Sequence, residues 1–408
     1  MFRILSKVAV PSVIVSALGF FVDLYDIIIF SAERVDSFRS LGIPEAEWTT
    51  LGGRILSMQM AGMLVGGFLW GWIGDRFGRV KVLFGSILTY SVFSGLNAFV
   101  TGADAYMWCR FLAGVGLAGE LGAGITLVAE QVDKKYRGFA VAMVGGLGML
   151  GAVTAGIVAN LFEWKTSYLI GAGLGLMLLV MRMRVAESGL YDRMVVQTVR
   201  RGDVRLLFRN RESLLIYACI LLVGMPAWFS NGVLLTFTRE ISGAMGMTDM
   251  PSSATAISFY FTGFAFGDPC CGLLSQRLQS RKKAIAAFLI LYALSIIGFF
   301  TLGRQSVTAY YALFTAMGFS VGFTIMLFTL AAEQFGTDLR SFVTTSTLNL
   351  NRAWVIPLTA AFSGLAGWLS GDYLLSAAIL AGVVILLAFL ALRKLKETFH
   401  RDLDFTQG

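Results

Sequence analysis

"TLVAEQVDKKYRG", residues 126–138, returns as "TLAAEQFGTDLRS", residues 329–341, 203 positions later. Thr126, Glu130, Gln131 and Arg137 fall on Thr329, Glu333, Gln334 and Arg340. A fainter echo sets "GWIGDRFGRVK" (71–81) against "GLLSQRLQSRK" (272–282), 201 positions apart. Two matches at nearly one offset mean that the chain is built twice, and a repeat of that length governs the fold. The expected organisation is an N-terminal half over 1–187, a linker over 188–211, a C-terminal half over 212–395 and a tail over 396–408.

Composition says what each half is made of. The chain is 56% apolar and 14% charged, against about 45–50% and about 25% in a soluble domain. The apolar residues gather in blocks at 11–32, 53–74, 80–100, 106–129, 138–162 and 167–185, and again at 214–236, 253–275, 283–302, 307–331, 342–367 and 372–394. Each block is close to the roughly 20 residues that cross about 30 Å of hydrocarbon as a helix. No block alternates with the period of two that a membrane barrel needs. The 46 glycines suit helices that approach closely in lipid. We therefore expect an all-α membrane protein of twelve transmembrane helices in two pseudo-symmetric six-helix bundles.

Charge sets the expected orientation. With both termini in the cytoplasm, Arg3, Lys7, "RFGRVK" (76–81), "KKYR" (134–137), residues 182–211, "RLQSRKK" (277–283), Arg340 and "RKLKETFHR" (393–401) lie on one side, and they hold 25 of the 33 Lys and Arg. This is the positive-inside pattern. The net charge of +8 is then topology and contact with anionic lipid, and no nucleic-acid partner is expected. "MFRILSK" (1–7) runs straight into a span holding two Asp, so a retained first helix in the cell membrane is expected, with the protein acting as a monomer. Cys109, Cys219, Cys270 and Cys271 all fall inside spans and read as packing residues. "MQMAGM" (58–63) and the Cys270–Cys271 pair offer soft donors, but the single histidine, His400, lies in the tail. No metal site and no cofactor is expected.

Several motifs together carry a resemblance. The pattern G-x3-D-R-x-G-R at Gly71, Asp75, Arg76, Gly78 and Arg79 resembles the signature loop of the major facilitator superfamily. "RFLAGVGLAGELGAGITLVAEQVDKKYRG" (110–138) resembles the fourth span and following loop of that superfamily's sugar porters and metabolite:proton symporters. Its "LAGE", ending at Glu120, is closer to the metabolite symporters, as is the acidic pair of "VDLYD" (22–26). Span 7, "LLVGMPAWFSNG" (221–232), lacks the paired glutamines with which sugar porters hold a hexose. Gln276 stands where the first half has Asp75, so the two gate loops are expected to be unequal. The resemblance implies a secondary transporter working by alternating access, with protons and a small polar solute as its partners. It also implies a cytoplasmic charge latch from Gly71, Asp75, Arg76, Gly78, Arg79, Glu130, Arg137, Glu333 and Arg340; simple positive-inside anchoring is the plainer alternative.

An ionised side chain at mid-bilayer costs about 2.5–3.5 kcal/mol on insertion scales, so such residues are functional candidates. Asp26 lies about 24 Å from the inner face and Arg110 roughly 22 Å, at about 1.5 Å of rise per residue. Asp23 shares the Asp26 helix face at i,i+3. Burial favours the neutral acid, and a neighbouring guanidinium favours the carboxylate. In the resembling symporters an acid in span 1 and an arginine in span 4 form the proton switch, which assigns it to Asp26 and Arg110. Asp23 or Glu120 could titrate instead, and a fixed ion pair is the structural alternative. In the second half Arg352, Asn349 and Trp354 of span 11, with Asn231 and Trp228 of span 7, could line a polar solute site. Arg352 could grip a carboxylate through two parallel hydrogen bonds, or pair with Asp268 inside the bundle. No nucleophile–base cluster for an enzyme and no nucleotide-binding loop for a pump is present, so transport, not catalysis, is the expected activity. A carboxylate or zwitterion symporter is favoured, with a uniporter or drug/proton antiporter as the alternative.

Overall fold

The computed structural model describes residues 11–77, 79–119, 137–187, 210–335 and 337–399. Among these residues the regular structure is entirely helical. The chain forms two compact units, Met1–Thr198 and Val199–Gly408.

The first unit contains α1 (Pro11–Ser40), α2 (Trp48–Phe77), α3 (Arg79–Leu96), α4 (Ala103–Leu117), α5 (Arg137–Leu161) and α6 (Trp164–Glu187). The apolar block at 11–32 underestimates α1, which continues two turns further to Ser40. Those extra turns carry Glu33 and Arg34, both buried. A charge ends a hydropathy block even where the helix goes on and the bundle supplies the partner.

The second unit contains α7 (Arg211–Phe229), a π-helical segment (Ser230–Leu235), α8 (Thr238–Ala244), α9 (Ser253–Leu278), α10 (Arg281–Leu302), α11 (Val307–Ser320), α12 (Thr324–Gln334), α13 (Thr337–Ala353), α14 (Val355–Trp368) and α15 (Tyr373–Lys394). Three blocks that read as continuous spans are divided. Span 7 passes through Pro226 and the π segment. Span 10 breaks at the turn 321–323 and span 11 at Trp354. Proline removes a helical N–H and crowds the preceding turn, and a π segment shifts the hydrogen-bond register. Side-chain hydroxyls add donors to carbonyls around this segment. Tyr292 donates to Pro226 O at 3.1 Å, Tyr260 to Ala227 O at 3.4 Å, and Thr236 to Asn231 O at 2.8 Å. Elsewhere helix starts are capped conventionally: Asn210 accepts from the Glu212 N–H, Ser306 from Ala309 and Asp372 from Leu375.

Within each unit one helix pair repeats the same device. α2 packs on α4, and α9 packs on α11. Gly62 and Gly66 on α2 recur as Gly263 and Gly267 on α9, at the 201-residue offset. A methyl at Gly62 would lie 2.0 Å from Phe111 O and one at Gly66 2.3 Å from Val115 O. At Gly263 and Gly267 it would lie 2.1 Å from Thr315 O and 2.1 Å from Phe319 O. The absent side chains let two backbones touch, which is how helices gain dispersion contact in lipid, where no hydrophobic drive between them exists.

Gly66→Val or Gly267→Val should therefore cost about 1–3 kcal/mol through overpacking, read as a lower melting temperature of the purified protein. Gly364→Ala, where a methyl meets nothing within 4 Å, should leave it unchanged.

Candidate functional site

The first unit brings Asp26 and Arg110 together. Asp26 is 1% exposed and Arg110 0%. The guanidinium Nη2 lies 3.3 Å from Asp26 Oδ1, and Nη1 donates to the Asp26 main-chain carbonyl at 3.1 Å. Ser94 on α3 donates to the same Oδ1 and also accepts from Arg110 at 3.5 Å. Gln59 on α2 donates to the Asp26 carbonyl at 3.3 Å. The Arg110 guanidinium sits 4.9 Å above the Tyr168 ring of α6, an attraction of about 0.5–2 kcal/mol. Five helices thus meet at one ion pair. Asp26 Oδ2 is buried and has no hydrogen-bond partner among the described residues.

Asp23 is buried on the same face. Glu120 lies outside the described residues. Beyond Asp26, the hydroxyls of Tyr106 and Tyr168 share a hydrogen bond of 2.6 Å, and Tyr106 meets Ser37 at 3.4 Å. Neither tyrosine, nor Ser94, nor Gln59, drew notice in the sequence. Each lies in an apolar block where a hydroxyl or amide is unremarkable until its partner is known.

In the second unit, α13 and α14 pack on α7 and the π segment. Trp354 donates to Leu221 O at 3.0 Å, and Tyr217 shares a hydrogen bond of 2.6 Å with Ser346. A methyl at Gly224 would lie 2.4 Å from Asn351 Oδ1, and one at Gly232 3.1 Å from Val355. One helix seam therefore holds the span 7 and span 11 candidates. Arg352 is buried, Asn231 is buried within the π segment, and Trp228, Asn349 and Trp354 are half-buried. Asn351, which sequence reasoning passed over for Asn349, has both amide atoms buried without a hydrogen-bond partner among the described residues, as has Asn349 Oδ1. Asp268 is half-buried where α9 crosses the break after α11; a methyl at Gly322 would come 2.4 Å from its main-chain nitrogen.

Of the expected latch, Gly78 and Glu130 lie outside the described residues. Gly71, Asp75 and Arg76 fall in α2, Arg79 in α3, Arg137 in α5 and Arg340 in α13, where the side chains are not described. Glu333 is placed: Arg281 holds it at 3.2 and 3.4 Å, and Thr398 donates to it at 2.6 Å. The tail folds back here. Arg281 stacks 4.8 Å from the Phe399 ring, and Gln334 donates to Lys396 O at 2.7 Å. Glu397 caps α10, accepting from Ser280 Oγ and, at 2.9 and 3.3 Å, from the N–H groups of Arg281 and Lys282. Burial would push the Glu397 carboxyl up. The hydrogen bonds from Ser280 and from the main chain of Arg281, Thr398 and Phe399 hold it below the usual glutamate range.

The comparisons with known proteins match this architecture. The family model for the Major Facilitator Superfamily covers residues 8–356. The chain belongs to the Major Facilitator Superfamily. A Bacillus subtilis protein provisionally described as a niacin/nicotinamide transporter is 29% identical over 238 residues, 54% of this chain and 58% of that protein. A cis,cis-muconate transport protein of Acinetobacter baylyi is 26% identical over 336 residues, 78% of this chain and 80% of that protein. The crystal structure of a D-xylose-proton symporter superposes with a TM-score of 0.70 at 16% identity, covering 95% of this chain and 98% of that one. The fold is that of the superfamily, and the chain is a multi-pass membrane transporter of a small-molecule solute, not an enzyme.

Two measurements probe this site and the tail. Arg110→Met should cost about 3–5 kcal/mol by stranding a buried carboxylate. Asp26→Asn in the Arg110→Met background should recover much of that loss, so thermal melts of the four proteins should give a non-additive cycle. For Glu397 the folded carboxyl titrates below its unfolded value of 4.5. Its contribution to stability is therefore full above that pH and fades as pH falls through the folded value. Acid melts of Glu397→Gln should lack that component.

Proposed function

We propose that the chain is a proton-coupled symporter of a small organic acid, working by alternating access with Asp26 as the proton carrier. The buried Asp26–Arg110 pair, with one carboxylate oxygen unengaged, carries this reading. Arg110 at Oδ1 pairs with the carboxylate. Withdrawal of the guanidinium would leave that charge buried and unpaired, and a proton taken up at Oδ2 would neutralise it. The proton gradient then supplies about 2.3 kcal/mol per charge for each 100 mV and about 1.4 kcal/mol per pH unit.

The solute site on this reading is the span 7–span 11 seam. Arg352 meets the carboxylate, and the amides of Asn351, Asn349 and Asn231 meet the remaining polar atoms. A buried amide without a partner costs about 1–3 kcal/mol, so a solute that satisfies it is held by relief of that cost. Relatives named for niacin and cis,cis-muconate support an organic acid. The positive-inside count supports cytoplasmic termini, and bacterial relatives support an inner-membrane location. Glu333, with Arg281 and the tail, would be the second unit's share of a cytoplasmic latch that includes Asp75, Arg76, Glu130, Arg137 and Arg340.

Uptake of nicotinate and cis,cis-muconate into proteoliposomes under an inward proton gradient tests the reading. The expected outcome is accumulation of at least one by the wild type. Asp26→Asn should lose accumulation but keep exchange between equal solute pools, and Arg352→Gln should lose both through weakened binding. Accumulation by Asp26→Asn would overturn the proton role.

A further inference from the structure

The proton site uses Asp26 and leaves a second carboxylate of α1 unexplained. Glu33 is 1% exposed, and its Oε1 has no hydrogen-bond partner among the described residues. Seven residues separate it from Asp26, which is two turns, so the two acids share a helix face about 10 Å apart. Ser167 of α6 lies in hydrogen-bond reach of the Glu33 carboxyl. Near the acids the Tyr106 and Tyr168 hydroxyls share a hydrogen bond of 2.6 Å. Tyr106 is within electrostatic reach of Glu33 and Arg110, and Tyr168 of Asp26 and Arg110. Ser37, one turn beyond Glu33 on α1, lies 3.4 Å from the Tyr106 hydroxyl.

We propose that Glu33 is a second proton-binding carboxylate, taking the proton from the outer side and delivering it to Asp26. This rests on the reading of Asp26 as the proton carrier and of the Ser40 end of α1 as the outer one. The step balances: Glu33 goes from acid to carboxylate, Asp26 from carboxylate to acid, and each tyrosine hydroxyl gives up its own proton as it takes another. A surface acid would not need such a path. A buried acid with an unengaged oxygen, on the carrier's helix face and with two bonded hydroxyls in electrostatic reach of the pair, has the parts of one.

The charged and titratable groups around Glu33 are Tyr25, Asp26, Arg34 and Asp36 on its own helix, Tyr106 and Arg110 on α4, and Tyr168 on α6; Arg54 on α2 is exposed. The rival role is a fixed counter-charge to Arg34, whose Nη1 donates to Trp48 O at 3.1 Å. The rival requires Glu33 to stay ionised throughout, and the proposal requires it to exchange a proton.

Infrared difference spectra of the purified protein across a pH titration separate the two without a solute. Selective carbon-13 labelling of glutamate carboxyls in the wild type should move one of two titrating neutral-carboxyl bands. Glu33→Gln should abolish that band and Asp26→Asn the other. After a rapid pH jump, the Asp26 band should rise at least about tenfold more slowly in Glu33→Gln and in Tyr106→Phe, with Glu33→Asp restoring part of the rate. No glutamate-shifted band in the labelled wild type, or an unchanged Asp26 rate in the variants, overturns the proposal. A titrating Glu33 band alongside no titrating Asp26 band overturns the Asp26 reading instead.

Discussion

An ionised carboxylate inside a bilayer-spanning bundle must be met by the protein, because no water is at hand to meet it. In the first unit that demand falls on Asp26, and it recruits side chains from four other helices. Arg110 supplies the charge, Ser94 a hydroxyl, Gln59 an amide on the main chain and Tyr168 a π face. These groups can converge only because α2 and α4 run backbone to backbone. Gly62, Gly66 and Gly114 leave no side chain between them, and a methyl at Gly114 would lie 2.2 Å from Gln59 O. The glycine contact and the ion pair are therefore one construction. The contact sets the position of α4, and α4 sets the position of Arg110.

The second unit inherits the glycine contact but not the ion pair. Its corresponding helices are interrupted: span 7 by Pro226 and the π segment, span 10 by the turn 321–323 and span 11 by Trp354. Irregular backbone at membrane depth is tolerated where protein groups satisfy it, and Tyr260, Tyr292 and Thr236 do so here. Interrupted helices expose main-chain and amide groups to a polar partner. The two units thus use one packing scheme for different ends, with a buried ion pair in the first and buried amides without hydrogen-bond partners among the described residues in the second.

How much of this the sequence disclosed follows from what kind of signal each feature leaves. The repeat and the apolar blocks are periodic over many residues, so two units and the helical spans were legible. Asp26 and Arg110 were legible because each is one of few charges in an apolar block and the two fall at a similar depth. Glu33 and Arg34 were not, since two adjacent charges read as the end of a helix that in fact continues to Ser40. Arg281 read as one more inward-facing cation among "RLQSRKK" (277–283). Its engagement with Glu333 depends on the tail returning to α10, which no local pattern announces. The break at 321–323 holds Gly322 and the one at Trp354 precedes Pro357 in the first turn of α14, marks that are faint beside the run of apolar residues around them.

Arg110 holds Asp26 in two ways, and the difference between them matters. Nη2 faces the carboxylate oxygen, and Nη1 donates to the main-chain carbonyl of the same residue. Protonating the carboxylate weakens the first contact, which depends on charge, and leaves the second, which does not. Arg110 would keep its tether to α1 through the carbonyl that Gln59 also holds, above the Tyr168 ring on which it already lies. A proton arriving at Asp26 would thus change how α1 and α4 are coupled without parting them. That is the kind of small, charge-dependent change that a packed bundle converts into a shift between discrete arrangements, since close-packed helices do not deform continuously.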